Sequence, residues 1–444
     1  MLYMCIRHHI MKRSFLIILA ALCGVLASSA KSKVDEMRDS VAASTMVYEI
    51  GHGRYTRQQV DSINRIITAY YYDQFRSFQD PEAPYFLFMS KDSQLAMGIG
   101  GVVRMRGWYD MGNVIPANGF APYLIPMSAE RVDSRRLGTT PAGTAIFFRV
   151  LGRNKVLGHY QLYIEGNFNG YENVGFRLKK AYAVVHDFTI GYAASTFGDP
   201  AAQTPVIDAQ GANNKISNTS VLLRYMRSFK SGFTVAASVE TPSPKIGADG
   251  TNTSSIANAC PEGAAFMQYA WGPTSHVRLS GVVRSLGYRD MLAGRNHHTA
   301  GWGVLLSAVG HPADFLTLYA TLNYGRGTAS LGGDLLCGNY DLIDNADEPG
   351  TMYAPASMGY QLGLQYNFRH NLFTSVSFSQ SRLYADHPVG GSEYKYGLWA
   401  AMNVFWNLTP RIQTGVEFDW GLRCNFDGHA RSSRRIGAMC QFAF

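Results

Sequence analysis

The last ten residues, RIGAMCQFAF (435–444), alternate in polarity and end on an aromatic side chain. In an extended chain, successive side chains point to opposite faces. The more apolar face carries Ile436, Ala438, Cys440, Phe442 and Phe444. The opposite face carries Arg435, Gly437, Met439, Gln441 and Ala443. A soluble antiparallel strand can show the same alternation. A final strand ending on Phe is also typical of outer-membrane barrels, and the rest of the chain agrees with that interpretation.

The composition is typical neither of a soluble protein nor of a helical membrane protein. Of the 444 residues, 16% are charged, 13% are aromatic and 45 are glycine, whereas soluble proteins contain roughly 25% charged residues. Mean hydropathy is nevertheless only −0.09, which is too low for a helical membrane protein. A low fraction of charged residues together with a mean hydropathy near zero is typical of strands with one apolar and one polar face.

Residues 1–30 predict a secretory signal peptide. Lys12 and Arg13 precede the apolar run 15–27, which is too short to span a bilayer of roughly 30 Å. Small residues follow at 28–30, where a signal peptidase would cut, and Met11 is the expected natural start. Removal of 1–30 leaves 37 basic and 32 acidic residues, a net charge of +5. Export implies an oxidising compartment.

Four cysteines remain after cleavage, and their spacing fits neither a zinc site nor a redox motif. They are Cys260, Cys337, Cys424 and Cys440. We expect isolated thiols.

Residues 31–90 predict a separate N-terminal periplasmic segment with one short helix. Thr56 and Gln59 form a capping box, and apolar residues at 60, 63 and 67 follow at helical spacing up to about Gln74. Prolines at 81 and 84 end this pattern. The helix is too short for a long coiled coil, so it favours a periplasmic stub or a short trimer-forming segment.

From Leu95 onward the period of the pattern is two. One face of the first segment carries Leu95, Met97, Ile99, Val103, Met105 and Tyr109. The other face carries Arg104, Arg106, Trp108 and Asp110. We count roughly sixteen such strands of about 10 residues over 91–444. The chain therefore predicts an all-β fold, a transmembrane antiparallel up-and-down barrel.

Link lengths support this prediction, because outer-membrane barrels join strands by short periplasmic turns and long external loops. Short links are expected near 152–155, 186–187, 230–232, 272–274, 310–312, 369–371 and 408–410. Long links are expected at 111–141, 198–216, 242–261, 326–356 and 384–392. Aromatic residues near strand ends are expected to form interfacial girdles: Tyr109, Phe168, Trp302, Tyr324, Phe368, Tyr394, Trp406 and Trp420.

The inward parity predicts a basic lumen. Its expected pore-lining cations are Arg104, Arg106, Arg149, Arg177, Lys179, Arg224, Arg278, Arg284, Lys395, Arg411, Arg423 and Arg435. Its acids are fewer: Asp110, Glu165, Glu240, Glu417 and Asp419. An excess of guanidinium groups in a narrow aqueous path favours anions. Alternatively, the arginines pair with the acids along the wall, and this pairing neutralises much of the field.

The long link 198–217 predicts a loop that folds into the lumen and narrows it. It is rich in small residues, so it can enter without filling the channel. Its polar candidates are Asp199, Asp208, Asn213, Asn214 and Lys215. The alternative is an ordinary external loop.

Other candidate sites are weaker. Four acids of one loop, Asp341, Asp344, Asp347 and Glu348, could bind calcium, but a solvated acidic loop is the simpler interpretation. His297 and His298 have no third ligand at a metal spacing. No nucleophile, base and orienting residue occur in a recognisable order. The sequence therefore predicts no enzyme, no cofactor, no metal and no nucleic-acid partner.

Three stretches resemble DcaP-like porins. They are GIGGVVRMRGWYDMGNV (98–114), the strand–turn–strand and loop at 179–217, and the last three strands at 403–444, including Gly415, Glu417, Gly421, Arg423, Asp427, Gly428 and Arg435. The resemblance covers 91–444. It implies a sixteen-stranded, trimeric porin with an N-terminal periplasmic segment, passing small anionic solutes. The short helix at 56–74 departs from the coiled coil that the family often carries.

The sequence as a whole predicts a passive diffusion channel in the outer membrane. Its expected partners are the lipid bilayer, small anionic solutes, two further copies of the chain, and the barrel-assembly machinery acting through the strand that ends at Phe444. The rival is a non-conducting barrel that anchors the loops 111–141 and 326–356 for adhesion or for binding a surface partner.

Overall fold

The computed structural model describes residues 46–50, 74–81, 86–90, 95–128, 134–154, 156–169, 175–272 and 274–444. The predicted signal peptide and the predicted helix starting at Thr56 lie outside these residues. Among them, no helix is long and apolar enough to cross a bilayer.

Twenty-three strands are described. In chain order they are β1 Met46–Ile50, β2 Phe86–Ser90, β3 Leu95–Met111, β4 Arg135–Thr140, β5 Ala145–Asn154, β6 Gly158–Asn169, β7 Gly175–Val185, β8 Phe188–Ala194, β9 Thr219–Ser228, β10 Phe233–Glu240, β11 Ile246–Gly247, β12 Thr253–Ser255, β13 Glu262–Ala270, β14 His276–Asp290, β15 Arg295–Ala313, β16 Leu316–Arg326, β17 Leu342–Asp344, β18 Met352–Tyr353, β19 Ala356–Arg369, β20 Leu372–Tyr384, β21 Tyr394–Thr409, β22 Ile412–Asn425 and β23 Ala430–Ala443. Four 3₁₀ turns join them, at Pro122–Leu124, Pro200–Ala202, Ala329–Leu331 and Asp334–Cys337.

Sixteen of these strands close into one antiparallel barrel. The last strand, β23, pairs with β3 so that Ala443 lies opposite Val102. Phe444 and Gly101 exchange two backbone hydrogen bonds of 2.7 and 2.9 Å at this seam. Closure leaves no sheet edge exposed to lipid. The predicted fold class is therefore confirmed.

The predicted parity is also observed along β3. Val103 and Met105 are 44% and 57% exposed on the outer face, whereas Arg104 and Arg106 are 3% and 8% exposed toward the lumen. A closed barrel with an apolar outer face is the architecture of outer-membrane proteins, so the predicted location in the outer membrane is confirmed.

Two details that were predicted from the strand pattern are wrong. Tyr394 was expected in an aromatic girdle but is fully buried, because a register shift between Tyr394 and Tyr396 turns it inward. The short link expected at 310–312 belongs to β15, which continues to Ala313 after an irregular register. Trp302, Tyr324 and Trp406 are 42%, 43% and 50% exposed, in agreement with a girdle.

The lumen is filled by chain segments that lie between strands. Residues 112–128, 198–217 and 328–341 pack inward and form apolar clusters with the wall. In one cluster Ile115 and Phe120 of the first segment pack on Trp399 of β21. The link 198–217 is therefore joined inside the barrel by parts of two links that were expected outside.

The segment 74–81 also lies inside the barrel. The sequence assigned it to the periplasmic part of 31–90, but its side chains contact inward residues of β7, β9 and β20. It is held there because its carboxylate and two phenylalanines find basic and aromatic partners on the wall. After this segment, β2 pairs with residues near the start of β3. The earlier strand β1 pairs with β2. The boundary at residue 90 remains a prediction.

Candidate functional site in the barrel lumen

The inner wall of the barrel divides into two chemically different arcs. The charged arc runs from β22 through β23 and β3 to β14 and carries the buried arginines, lysines and acids. The neutral arc consists of β16, β19, β20 and β21. Its buried polar residues are Thr317, Thr321, Ser357, Gln361, Gln365, Asn367, Ser375, Ser377, Ser379, Ser381, Asn403 and Asn407.

Three arginines of the charged arc are held by carboxylates. Arg435 contacts Asp110 across the closing seam at 2.6 Å. Arg284 contacts Glu262 of β13 at 2.7 Å and Asp341 at 3.3 Å. A buried guanidinium needs such a partner or its desolvation is not offset. At these two positions, and at Arg278 described next, the charge of the arginine is paired with that of an acid. They therefore fit the alternative in which ion pairing neutralises much of the positive field.

Arg278 is the third of these arginines, and its acid comes from the link 198–217. Asp199 lies 3.5 Å from Arg278 and 2.8 Å from the Nε2 atom of His276. Burial acts to raise the pKa of Asp199, but the charges of Arg278 and His276 outweigh it and hold that pKa below its usual range. The carboxylate is therefore ionised and fixes the first residues of the link to β14.

Arg104 and Arg106 donate instead to neutral oxygens. Arg104 donates to the side chain of Gln441 at 2.8 Å and to the carbonyl of Gln79 at 2.9 Å. Arg106 donates to the carbonyls of Ala142 and Ile207 at 2.7 and 3.2 Å. Carbonyl partners satisfy the N–H groups but leave the formal charge in place. These two guanidinium groups can therefore contribute a positive potential to the lumen.

Three further predicted cations also contact rings or neutral atoms in the lumen. Arg224 donates to Thr196 at 2.9 Å, and Arg149 lies 5.1 Å from the Tyr163 ring centroid. Arg423 donates to Asn425 at 2.9 Å and lies 5.0 Å from the Tyr123 ring centroid.

The other predicted cations differ in their surroundings. Lys179 contacts Glu165 at 2.8 Å, and Arg411 is buried at the turn before β22. Arg177 is exposed. Lys395 lies at the register shift beside Tyr394, with Nζ 5.8 Å from the Phe426 ring centroid. Tyr394 takes the buried position there, so simple parity misplaces Lys395.

The neutral arc binds the link 198–217 through hydroxyl and amide groups. The Ser379 hydroxyl accepts from the Asn213 backbone N–H at 3.1 Å and donates to its side-chain oxygen at 2.7 Å. Gln361 donates to Thr204 at 2.7 Å. Asn214 donates to Thr321 at 2.9 Å. Lys215, the last predicted polar residue of this link, is half-buried.

Glu417 anchors the centre of the same link from the charged arc. Its carboxylate accepts the backbone N–H groups of Ile207 and Asp208 at 2.8 and 2.5 Å, and the Asn403 amide at 2.8 Å. Asp208 in turn accepts from the Phe120 N–H at 2.8 Å. Glu417 was predicted to line the pore, but the structure places it beneath the link as a support.

Phe120 is a lumen residue that parity analysis of the strands cannot find, since it belongs to a link. Its ring is fully buried against β22. A Cβ at Gly421 would come within 2.5 Å of that ring, so glycine is required at this close approach. The composition of 111–141 gives no period that would have signalled an inward segment.

The link 326–356 contacts the link 198–217 directly. The pair Gly332 and Gly333 permits this contact, because added Cβ atoms would lie 2.1 Å from backbone oxygens of Lys215 and Asn213. Asp334 accepts from Tyr394 at 2.9 Å and from Asn213 at 3.3 Å. Burial raises the pKa of Asp334 to about 7.

Three of the four acids considered for calcium have separate roles. Asp341 accepts from the backbone of Lys245 and Ser330 at 2.8 and 2.9 Å. Asp344 accepts from Thr253, and Asp347 contacts His387 at 2.9 Å. Within the described residues, no group of three or more His, Cys, Asp or Glu side chains is arranged to hold a metal. Among the described residues, Cys260, Cys337, Cys424 and Cys440 are free thiols.

Comparison with known proteins supports the fold. The outer-membrane channel DcaP of Acinetobacter baumannii superposes with a TM-score of 0.67 at 18% identity, covering 80% of this chain and 99% of that one. OmpT of Vibrio cholerae superposes with a TM-score of 0.50 at 9% identity, covering 79% and 98%. No family model matches the sequence. No curated protein matches it.

The fold and its lumen define a class: a sixteen-stranded outer-membrane β-barrel with inward-folded links. Its architecture is that of DcaP, which is the fold implied by the resemblance at 98–114, 179–217 and 403–444. At 18% identity this likeness establishes the fold.

Proposed function

We propose that the chain is a passive diffusion channel of the outer membrane for small, preferably anionic solutes, in the manner of DcaP-like porins. The observation that carries the anionic preference is the pair Arg104 and Arg106, which are buried at the lumen and donate to neutral oxygens rather than to carboxylates. Two such groups on alternate positions of β3 attract anions into a narrow path.

The mechanism needs neither a cofactor nor an energy source. Anions approach through the electrostatic field, which is stronger inside a low-dielectric wall than in bulk water. They then exchange weak contacts with guanidinium groups on one side and with hydroxyl and amide groups on the other. Each contact is weak enough for the anion to be released, and the contacts are numerous enough for the anion to enter the channel. The link 198–217 narrows the path because both arcs fix it.

Assembly follows from the same proposal. A trimer agrees with the resemblance to DcaP-like porins, and recognition by the barrel-assembly machinery would act on β23, which ends beside Phe444. Both stay predictions that crosslinking and assembly assays can address.

The experiment is single-channel recording of the refolded protein in planar bilayers, with a salt gradient to measure ion preference. We expect stepwise openings in threes and an anion-selective reversal potential. The double substitution Arg104→Ala and Arg106→Ala should lower the ratio of anion to cation permeability about threefold. Arg227→Ala is the matched control, because Arg227 lies in an exposed ion pair with Asp187. An unchanged reversal potential in the double variant would falsify the assignment.

A second candidate is a non-conducting barrel that anchors external links. The observation favouring it is the depth to which 112–128, 198–217 and 328–341 fill the lumen. The same packing buries parts of the two links expected to bind a partner, and this reduces the surface they offer. A folded barrel that never conducts, together with loss of adhesion when 342–353 is deleted, would support this candidate.

A further inference from the structure

The segment 74–81 crosses the lumen directly against the link 198–217. Gln79 donates its amide to the carbonyls of Asp208 and Val206 at 2.7 and 3.2 Å, and its own carbonyl accepts from Arg104 at 2.9 Å. The segment therefore occupies the level at which Arg104 and Arg106 would meet a solute.

Asp80 brings a carboxylate into a basic cluster on β7. Its two oxygens contact Lys179 and Lys180, the latter at 3.0 Å. The Ser77 N–H donates to the same carboxylate at 2.9 Å. Asp80 and Lys180 are 8% and 6% exposed. A register shift between Glu165 and Gly166 allows two consecutive lysines of β7 to reach the lumen side, which regular alternation would forbid.

Two phenylalanines fix the rest of the segment on opposite parts of the wall. The Phe75 ring centroid lies 3.8 Å from the Arg224 guanidinium carbon and 5.5 Å from that of Arg278. The Phe78 ring packs edge-on against Phe405 and Phe373, with centroids 5.1 and 6.1 Å apart. Cation–π contacts become stronger when both groups are shielded from water. The β7 lysines, the two arginines and the two wall phenylalanines thus hold the eight residues of the segment 74–81 in three places.

The segment 74–81 occupies basic groups of the lumen in the way that a bound ligand would. A carboxylate lies between two ammonium groups, and an aromatic ring lies over two guanidinium groups. The cations that a carboxylate solute needs are already satisfied from within the chain. A solute must therefore compete with the segment for them.

We propose that Lys179 and Lys180 form a carboxylate-binding subsite of the channel, and that Asp80 of the segment 74–81 occupies it as an internal competitor that restricts the path. This inference rests on the proposed channel function and adds its regulation. A dicarboxylate that displaces Asp80 would widen the path for its own passage. Loss of the Asp80 carboxylate would remove one negative charge from beside the two lysines, so the local charge becomes more positive.

The test uses the full-length protein in planar bilayers, with Asp80→Asn as the main variant and succinate as the probe. Asn keeps the shape of Asp but loses its charge. We expect the conductance to rise at least twofold and the succinate concentration for half-maximal block of the chloride current to fall about tenfold. Asp187→Asn is the matched control, since Asp187 lies in a half-exposed ion pair outside the lumen. Lys180→Gln added to Asp80→Asn should reverse the gain in succinate affinity.

The outcomes separate the two proposals. Suppose that the wild type conducts and that the double substitution at Arg104 and Arg106 shifts its reversal potential. If succinate then blocks the wild type and Asp80→Asn at the same concentration, the inference is overturned and the channel function stands. A silent wild type with a conducting Asp80→Asn supports the inference directly. If both proteins are silent although folded by heat-modifiability on gels, both proposals fail. Should Asp80→Asn not fold, the pair Phe75→Ala and Phe78→Ala releases the same segment, and unchanged conductance in that variant counts against the inference.

Discussion

The charged arc and the neutral arc hold the same link, 198–217, by different chemistry. On the charged arc, Glu417 accepts backbone N–H groups at the centre of the link, and Asp199 pairs with Arg278 at its beginning. On the neutral arc, Ser379 and Gln361 reach the link through hydroxyl and amide groups. Charged partners fix position and also shape the electric field, whereas neutral partners fix position alone. The two functions of the wall are therefore separable by substitution.

The largest expected effect comes from Glu417→Ala on the charged arc. The change removes one acceptor from two backbone N–H groups and the Asn403 amide. Leaving these donors buried without a partner should cost about 3 to 5 kcal/mol. We expect faster hydrogen exchange over 203–213 and a higher, noisier conductance. Glu417→Gln keeps one acceptor oxygen and should show a smaller effect. Equal exchange in all three proteins would mean that the link is held elsewhere.

An intermediate effect is expected from pH at Asp334, which joins the link 326–356 to both Asn213 and Tyr394. Burial raises the pKa of Asp334 to about 7. The protonated carboxyl group therefore contributes fully to folding stability below the pKa that Asp has in the unfolded chain, near 3.9. That contribution is lost as pH rises through 7, by about 1.4 kcal/mol per pH unit between the two values. Limited proteolysis of 326–356 should therefore be faster at pH 8 than at pH 5. The pH dependence should vanish in Asp334→Asn, and its persistence there would assign it to another group.

The smallest effect is expected from Ser379→Ala on the neutral arc. Two hydrogen bonds to Asn213 are lost, which should cost about 1 to 2 kcal/mol. The conductance noise should rise slightly, and the reversal potential should not move, because no charge changes. Ser392→Ala, at an exposed serine, is the control for the substitution itself. A shifted reversal potential in Ser379→Ala would break the distinction between the arcs.

Strand parity predicts inward positions for the lumen arginines but says nothing of their partners. Arg104 and Arg106 lie inward, as alternation from Leu95 requires, because a one-residue shift would place them in lipid. Lys395 and Tyr394 were misplaced because a local register shift reverses parity at one strand end. Lys180 was missed for the same reason on β7. Irregular registers are set by packing and leave no period in the sequence.

The links show where sequence reasoning stops. The small residues of 198–217 predicted an inward segment, since such residues fit between strands. Residues 112–128 and 328–341 carry no comparable pattern, yet Phe120 and Leu335 are buried. Whether a link turns inward depends on the cavity left by the others, and that is a property of the closed barrel.

The sequence by itself determined the barrel, the outward apolar face and the inward arginines, because a period of two in a chain that must satisfy its backbone in lipid permits few other folds. Only the tertiary structure decided how much of the positive charge is compensated. Asp199, Asp341 and Asp80 reach Arg278, Arg284 and Lys180 from links and from the N-terminal segment. These pairs join residues far apart in the chain, and no local pattern encodes such contacts.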